Sequence, residues 1–243
     1  MTLINNETSG VFVIACTPFT DNGAIDVASV DRMVDFYYEK GADGLTILGM
    51  MGEAPKLTQA ESIDITRQTI ARSADKQVVV GVSAPGLAAI GELTKAVMDM
   101  GAAGVMVAPP SSLRTDEQII GYYRNVIETI GTDVPVVLQD FPLSTGVQIS
   151  SRTLGVILEA HPSIVMLKHE DWPGLQKITD LREAVKPGAP QVWPEAPGNI
   201  AVDWAGLAAN PDEMAAKVDA AMKSAAHVAR ISLVHQRINV ASM

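Results

Sequence analysis

The chain has 243 residues, of which 47% are hydrophobic, and this is enough apolar material for one sizeable core. Its 28 acidic and 18 basic residues give a net charge of −10, which repels phosphate backbones and anionic bilayers. We therefore expect neither nucleic acid nor a membrane as a partner. Cys16 is the only cysteine, which excludes an intrachain disulfide, and the first ten residues lack the order of a signal peptide, so the sequence predicts a cytoplasmic protein.

Seven short apolar runs rich in β-branched residues recur along the chain, with starts about 30 residues apart, the size of one βα unit. They cover residues 11–16, 44–49, 77–82, 104–108, 135–138, 164–167 and, more weakly, 191–193. Each run is apolar throughout rather than alternating, as in parallel strands that are buried on both faces. Helical periodicity fills the intervals between them.

The first interval shows this periodicity clearly. Apolar residues at helical spacing are Val27, Val30, Met33, Val34 and Tyr37. Asp26 is placed to cap the start of this helix, and Gly41 to end it. Residues 39–44 and 98–104 repeat one pattern of helix end, glycine and strand, which indicates stacked equivalent units.

Six clear units, a weaker seventh strand and a further candidate strand near residues 201–208 favour an α/β fold of the (β/α)8 TIM-barrel type. No Gly-x-Gly-x-x-Gly follows the first run, as an open dinucleotide-binding sheet would require. We expect residues 1–210 to form the barrel, compressed or incomplete after strand six, and residues 211–243 to form a helical tail. An incomplete barrel would expose an apolar edge, so we expect a homo-oligomer, a dimer or a tetramer.

In such a barrel the catalytic groups follow the carboxyl ends of the strands, and Lys168 directly follows the run 164–167 there. Desolvation at this point would increase the neutral, nucleophilic fraction of the amine. The alternative is a lysine that pairs with Glu170, Asp171 or Glu195. The loop from Gly49 to Glu53 has two glycines that allow backbone N–H groups to face an anion, although an ordinary tight turn explains them as well.

The order of these and other motifs resembles the dihydrodipicolinate synthase and N-acetylneuraminate lyase family, the pyruvate-dependent class I aldolases. The motifs are Thr17-Pro18-Phe19, Asp21-Asn-Gly23 with Ile25-Asp26, Gly41-Ala-Asp-Gly44, Gly49-x-x-Gly-Glu-Ala-Pro55 with Leu57-Thr58, Gly81-Val82, Pro109-Pro110, Phe141-Pro142 with Thr145-Gly146, and Lys168. The resemblance implies a (β/α)8 barrel in which Lys168 forms a Schiff base with pyruvate or another 2-oxo acid. It implies a lyase, aldolase or dehydratase that needs no cofactor and no metal.

The resemblance also assigns the binding residues. The substrate carboxylate would lie on Gly49, Met50, Met51 and Gly52, and Ser144 and Thr145 would contact the substrate. Relatives have Thr-Thr at the two methionine positions, and an arginine for the second substrate where this chain has Ser144. We therefore do not expect the standard synthase reaction.

Proton transfer is the other departure from the family pattern. Gln139 occupies the catalytic strand-five position at which relatives have an acid–base tyrosine, and residues 110–112 contain no tyrosine that a neighbouring subunit could receive. Candidate replacements are Thr17, Ser83, Asp140, Ser144, Thr145, His169 and Glu170. Because His169 follows Lys168 directly, it would point to the opposite face of a strand and pack against a helix.

Two other functions are compatible with the residues. A catalytically silent barrel could keep the fold and the lysine in order to bind a small metabolite or a partner protein. A metal-dependent aldolase could use Asp140, Glu170 and Glu195 as oxygen ligands, although no spaced His or Asp motif supports it.

Overall fold

The computed structural model describes residues 2–172, 174–184 and 191–192. Within them lies one parallel sheet, in which each strand pairs with the next along the chain. The strands are β1 (Phe12–Ile14), β2 (Gly44–Ile47), β3 (Gln77–Gly81), β4 (Gly104–Val107), β5 (Val136–Asp140), β6 (Ile164–His169) and β7 (Gln191–Val192). All seven predicted strands are confirmed, in the predicted order.

Helices connect successive strands. They are α1 (Val27–Glu39), α2 (Gln59–Ser73), α3 (Leu87–Asp99), α4 (Asp116–Ile130), the short α5 (Pro142–Thr145), α6 (Ser151–Ala160) and α7 (Gly174–Ala184), with a 3-10 turn at Ala54–Lys56. A parallel sheet in strict chain order with a helix in each crossover is the (β/α)8 architecture. The candidate strand near 201–208, the tail 211–243 and any closure of the barrel lie outside the described residues.

The strands bury both faces, as their continuous apolar runs predict. The inner face carries a small cluster: Ile4, Phe12, Val79, Ala103, Met106, Val137 and Met166. The alternate strand positions belong to a much larger cluster that includes apolar residues of the surrounding helices, such as Val34, Ile90 and Leu154. Side chains therefore alternate between a narrow interior and a thick layer between sheet and helices.

Local signals set the ends of the first helix as the sequence predicts. The Asp26 side chain accepts a hydrogen bond from the Ser29 backbone N–H, and Gly41 adopts a φ of +92° after the helix. Val30, Val34 and Tyr37 are buried, but Val27 is 61% exposed because it begins the helix, before the helix packs on the sheet. The expectation that Val27 belongs to the packed face was therefore wrong.

The strands that matter most for function are longer than the apolar runs. β5 extends through Gln139 to Asp140, and β6 extends through Lys168 to His169. The two strands pair in register here, with Gln139 opposite Lys168 and Asp140 opposite His169. The last two residues of each strand are therefore polar although they belong to the buried sheet.

Candidate active site

Lys168 lies in the interior of the barrel, near the carboxyl end of β6. It is two residues beyond Met166, and Gln139 is two residues beyond Val137, so both side chains share the inner face of the sheet. Both are buried, Lys168 with 4% and Gln139 with 3% of its surface exposed. A charged side chain is rarely buried to this extent without a partner.

The partner of Lys168 is Glu170. The Lys168 ammonium forms an ion pair with Oε2 of Glu170, and Gln139 donates a hydrogen bond of 2.8 Å from Nε2 to the same oxygen. Glu170 follows β6 directly, and its backbone N–H donates to the carbonyl of Asp140 at 2.8 Å. Of the three acids considered as partners, Asp171 does not pair with Lys168, and Glu195 lies outside the described residues.

The loop that follows β2 is a strained, closely packed turn. Leu48 adopts a positive φ of 54°, which is costly for a residue with a Cβ. Its carbonyl oxygen would lie 2.0 Å from a Cβ added to Gly81 in the adjacent β3. Thr17 fixes the far end of the turn by donating a hydrogen bond of 2.6 Å to the carbonyl of Gly52.

This turn uses some of its backbone N–H groups and leaves others free. Gly52 N–H donates to the carbonyl of Gly49, and Glu53 N–H donates to that of Met50, at 3.1 and 3.2 Å. The N–H groups of Met50 and Met51 have no hydrogen-bond partner among the described residues. Adjacent free N–H groups of this kind can bind an anion where they point to the same side of the turn.

The mouth of the barrel brings this turn close to the segment after β5. Ser144 Oγ is 3.4 Å from Sδ of Met50, although the two residues are 94 positions apart in the chain. The Lys168 ammonium is 6.0 Å from the centre of the Phe141 ring. The hydroxyl of the neighbouring Thr145 donates to the carbonyl of Phe141 and accepts from the N–H of Val147.

Asp140 and His169 lie on the opposite face, between the sheet and α7. Their side chains are joined by a hydrogen bond of 2.8 Å between Oδ2 and Nδ1. The Lys177 ammonium of α7 lies 2.7 Å from the Asp140 carboxylate and 3.0 Å from that of Asp171. We call these four residues the outer cluster. It connects α7 to β5 and β6 and does not reach the interior.

The other hydroxyl groups considered for proton transfer form hydrogen bonds within the protein. Ser83 accepts a hydrogen bond from the N–H of Ala108, and the Thr17 proton is directed at Gly52. The chain's four tyrosines lie on α1 and α4, and the hydroxyls of Tyr122 and Tyr123 donate to carbonyls of β4 and its end. Burial raises the pKa of Tyr122 to about 12, so it stays protonated at neutral pH.

Cys16 is another nucleophile near the carboxyl ends of the strands. It is half-buried, and this burial, together with the nearby Glu53 carboxylate, raises the pKa of its thiol. A thiol with a raised pKa carries less thiolate and reacts slowly. Lys168 is therefore the better nucleophile candidate at this end of the sheet.

The carboxylates considered as metal ligands are separated by the sheet. Glu170 contacts the inner lysine, whereas Asp140 contacts Lys177 on the outer side. Among the described residues, which do not include Glu195, no group of three or more His, Cys, Asp or Glu side chains is arranged to hold a metal ion. Within the same residues, no helix is long and apolar enough to cross a membrane.

The fold and this site define a (β/α)8 protein with a buried lysine at the end of strand six. The model of the dihydrodipicolinate synthetase family matches residues 7–190, and the chain belongs to this family. A 4-hydroxy-tetrahydrodipicolinate synthase of Persephonella marina is 33% identical over 181 residues, which are 73% of this chain and 60% of that protein. The chain therefore spans less than two thirds of the length of this relative.

Solved structures show the same fold. Dihydrodipicolinate synthase from Rhodopseudomonas palustris has a TM-score of 0.80 and 43% identity, and the match covers 92% of this chain and 83% of that one. YagE, a prophage protein of this family from Escherichia coli K12 solved in complex with pyruvate, has a TM-score of 0.72 over 89% of this chain and 80% of its own. At 20% identity, YagE supports the fold alone.

The sequence leaves Glu170 three possible roles, as a partner of Lys168, as a proton-transfer group and as a metal ligand, and does not choose among them. A signal for the first role exists, because residues two apart on a strand share a face, and Lys168 and Glu170 have this spacing. The apolar run 164–167 ends before both residues, and strand periodicity was applied only as far as His169. Lys177 was missed as well, because nothing in the sequence relates it to Asp140.

Proposed function

We propose that this protein is a lyase, aldolase or dehydratase that forms a Schiff base between Lys168 and pyruvate or another 2-oxo acid. The observation that carries the proposal is a lysine buried in the barrel interior, whose only described ionic partner is the carboxylate of Glu170. The amine, once it has lost a proton, attacks the C2 carbonyl. Loss of water from the carbinolamine then gives an iminium that can accept electrons from C3.

The substrate carboxylate is assigned to the turn from Gly49 to Gly52. The free N–H groups of Met50 and Met51 support this assignment, because a carboxylate would satisfy both. The side chains of the two methionines bring apolar surface to the turn, which favours a 2-oxo acid with an apolar substituent. We place Ser144 at the rim of the same pocket, where its hydroxyl lies close to Met50.

We do not expect the standard reaction of the 4-hydroxy-tetrahydrodipicolinate synthases. Ser144 has no positive charge with which to bind the carboxylate of a second substrate, and the Gln139 amide does not act as an acid or a base near neutral pH. The net charge of −10 and the single cysteine support a cytoplasmic enzyme.

Borohydride reduction tests the proposal, because it converts an imine into a stable secondary amine. The protein is incubated with pyruvate, 2-oxobutanoate or phenylpyruvate, reduced, digested and analysed by peptide mass spectrometry. We expect the adduct on Lys168 with at least one acid, and none in a Lys168→Met variant. Lys177 is an internal control, because it is a second buried lysine with carboxylate partners but lies outside the interior.

The opposite result would be an unmodified Lys168 with all three acids, or equal modification of Lys168 and Lys177. Either result would reject the Schiff-base function. The catalytically silent barrel would then be the better explanation, with the pair of Lys168 and Glu170 as a purely structural contact.

A further inference from the structure

A Schiff-base lysine needs a nearby group that moves protons, and this chain supplies no tyrosine for that purpose. Its four tyrosines, Tyr37, Tyr38, Tyr122 and Tyr123, all lie on helices outside the sheet. Burial raises the pKa of each of them, which makes them poor proton donors and acceptors near neutral pH. The proton carrier must therefore be a residue of another type.

Glu170 is the titratable side chain in direct contact with the Lys168 ammonium. One carboxylate oxygen, Oε2, is held by Lys168 and by the Gln139 amide. The other oxygen, Oε1, has no hydrogen-bond partner among the described residues. It is also not enclosed like Oδ1 of Asp140, which is buried and has no hydrogen-bond partner in the part of the chain that the structure describes. One oxygen is thus anchored while the second is open.

We propose that Glu170 is the general acid and base of this site, an inference that rests on the proposed function. It occupies the role that the family assigns to a strand-five tyrosine, and Gln139 is a positioning residue that orients the carboxylate. The first proton transfer joins two side chains that are already in contact, Lys168 and Glu170. The backbone N–H of Glu170 donates a hydrogen bond to the carbonyl of Asp140, which fixes the backbone from which the Glu170 side chain extends.

The proton balance closes with this one residue. Glu170 first takes a proton from the Lys168 ammonium, and the neutral amine adds to C2 of the 2-oxo acid. A proton passes from the new N–H to the C2 oxygen, and protonated Glu170 then donates to the hydroxyl of the carbinolamine, which leaves as water. The products are a protonated imine and ionised Glu170.

The same carboxylate can then serve the carbon chemistry. Ionised Glu170 removes a proton from C3 of the iminium, and the electron pair of that C–H bond forms the C2–C3 double bond of an enamine. The imine nitrogen becomes neutral, and Glu170 becomes a carboxylic acid. No oxidant, reductant or additional reactant is needed.

The competing explanation is that Glu170 only neutralises a buried lysine. The two explanations differ at the C3 proton, because a structural ion pair has no part in its removal. The measurement is therefore exchange of the pyruvate methyl protons in D₂O, followed by ¹H NMR and divided by the amount of borohydride-trapped adduct. The adduct is trapped after a long incubation, so that slow imine formation does not lower the measured amount of adduct.

We expect wild-type protein to exchange, and Glu170→Gln to form the adduct on Lys168 but to exchange roughly 10²- to 10⁴-fold more slowly per adduct. Asp171→Asn is the matched control: it makes the same change of charge at the next residue, which contacts Lys177 instead. Its exchange per adduct should equal that of the wild type. The acid–base role of Glu170 would be rejected if Glu170→Gln exchanged as fast per adduct as the wild type. It would also be rejected if the wild type formed the adduct but did not exchange, and in both cases the Schiff-base function would still stand.

Glu170→Gln leaves the lysine charge unpaired and can lower stability. If it forms no adduct, Glu170→Asp replaces it in the comparison, because it retains a carboxylate one methylene shorter. The proposal is then supported if Glu170→Asp exchanges more slowly per adduct than the wild type but faster than pyruvate without protein. Exchange at the wild-type rate contradicts it. Absence of an adduct in the wild type is a different result, which rejects the proposed function itself.

Discussion

At the scale of single residues, Gln139 shows how one substitution changes the chemistry available to a site. Its amide donates to Glu170 at 2.8 Å but cannot lose a proton under ordinary conditions. A side chain of this kind can orient an acid–base group and cannot replace one. Where relatives have an acid–base tyrosine, our proposal gives this chain a glutamine that orients the Glu170 carboxylate.

Gln139→Met tests this positioning role, because methionine has a similar volume and no donor. We expect exchange of the pyruvate methyl protons per trapped adduct to fall about tenfold, since a hydrogen bond to a charged group is lost. In a Glu170→Gln background the same substitution should have no further effect, because there is no longer a carboxylate to orient. Equal losses in the two backgrounds would indicate that Gln139 acts independently of Glu170.

At the scale of the elements, the turn after β2 depends on the strand beside it. The Leu48 carbonyl occupies the space that a side chain at position 81 would need, and Gly81 leaves that space empty. The turn can therefore keep this conformation only if β3 carries glycine at position 81. The fit between the two elements maintains the proposed carboxylate site.

Gly81→Ala should therefore destabilise the fold by at least about 2 kcal/mol, because the clash is with backbone atoms that cannot move aside. Gly155→Ala in α6 is the matched control, since a Cβ there meets nothing within 4 Å. It should stabilise by about 0.5 to 1 kcal/mol through helix propensity. Urea unfolding monitored by circular dichroism measures both. A Gly81→Ala protein as stable as the wild type would show that the turn is not held in this way.

The sequence predicts these elements well where one signal dominates. Continuous apolar runs and helix caps located each strand in the described part of the chain and the start of α1, because both depend on residues close in the chain. The extensions of β5 and β6 through Gln139 and Lys168 were not predicted, since polar residues ended the apolar pattern. Contacts between distant elements, such as Lys177 of α7 with Asp140, depend on packing and have no local signal.

At the scale of the whole molecule, the chain has the family's barrel fold and spans only part of the length of the curated relatives that it matches. The matched region is 60% of the Persephonella marina enzyme. Two large apolar residues near the ends of β5 and β6, Leu143 and Leu175, are 54% and 48% exposed. A contact with a second copy of the chain would bury these side chains.

We therefore predict that the protein is a homo-oligomer, a dimer or a tetramer of the 25.7 kDa chain. Light scattering after size exclusion should give a multiple of this mass, and Leu143→Glu should lower it by placing a charge in the contact. Val27→Glu is the control, because Val27 is also exposed but lies on α1. A monomer at all concentrations, or equal effects of the two substitutions, would contradict the prediction.

The central claim is the covalent bond between Lys168 and a 2-oxo acid, and a crystal structure of the protein with pyruvate tests it most directly. We expect continuous electron density from Nζ of Lys168 to C2 of pyruvate. The carboxylate should accept hydrogen bonds from the N–H groups of Met50 and Met51, and Glu170 should lie beside C3. A pyruvate bound without that density, beside an intact pair of Lys168 and Glu170, would contradict the claim.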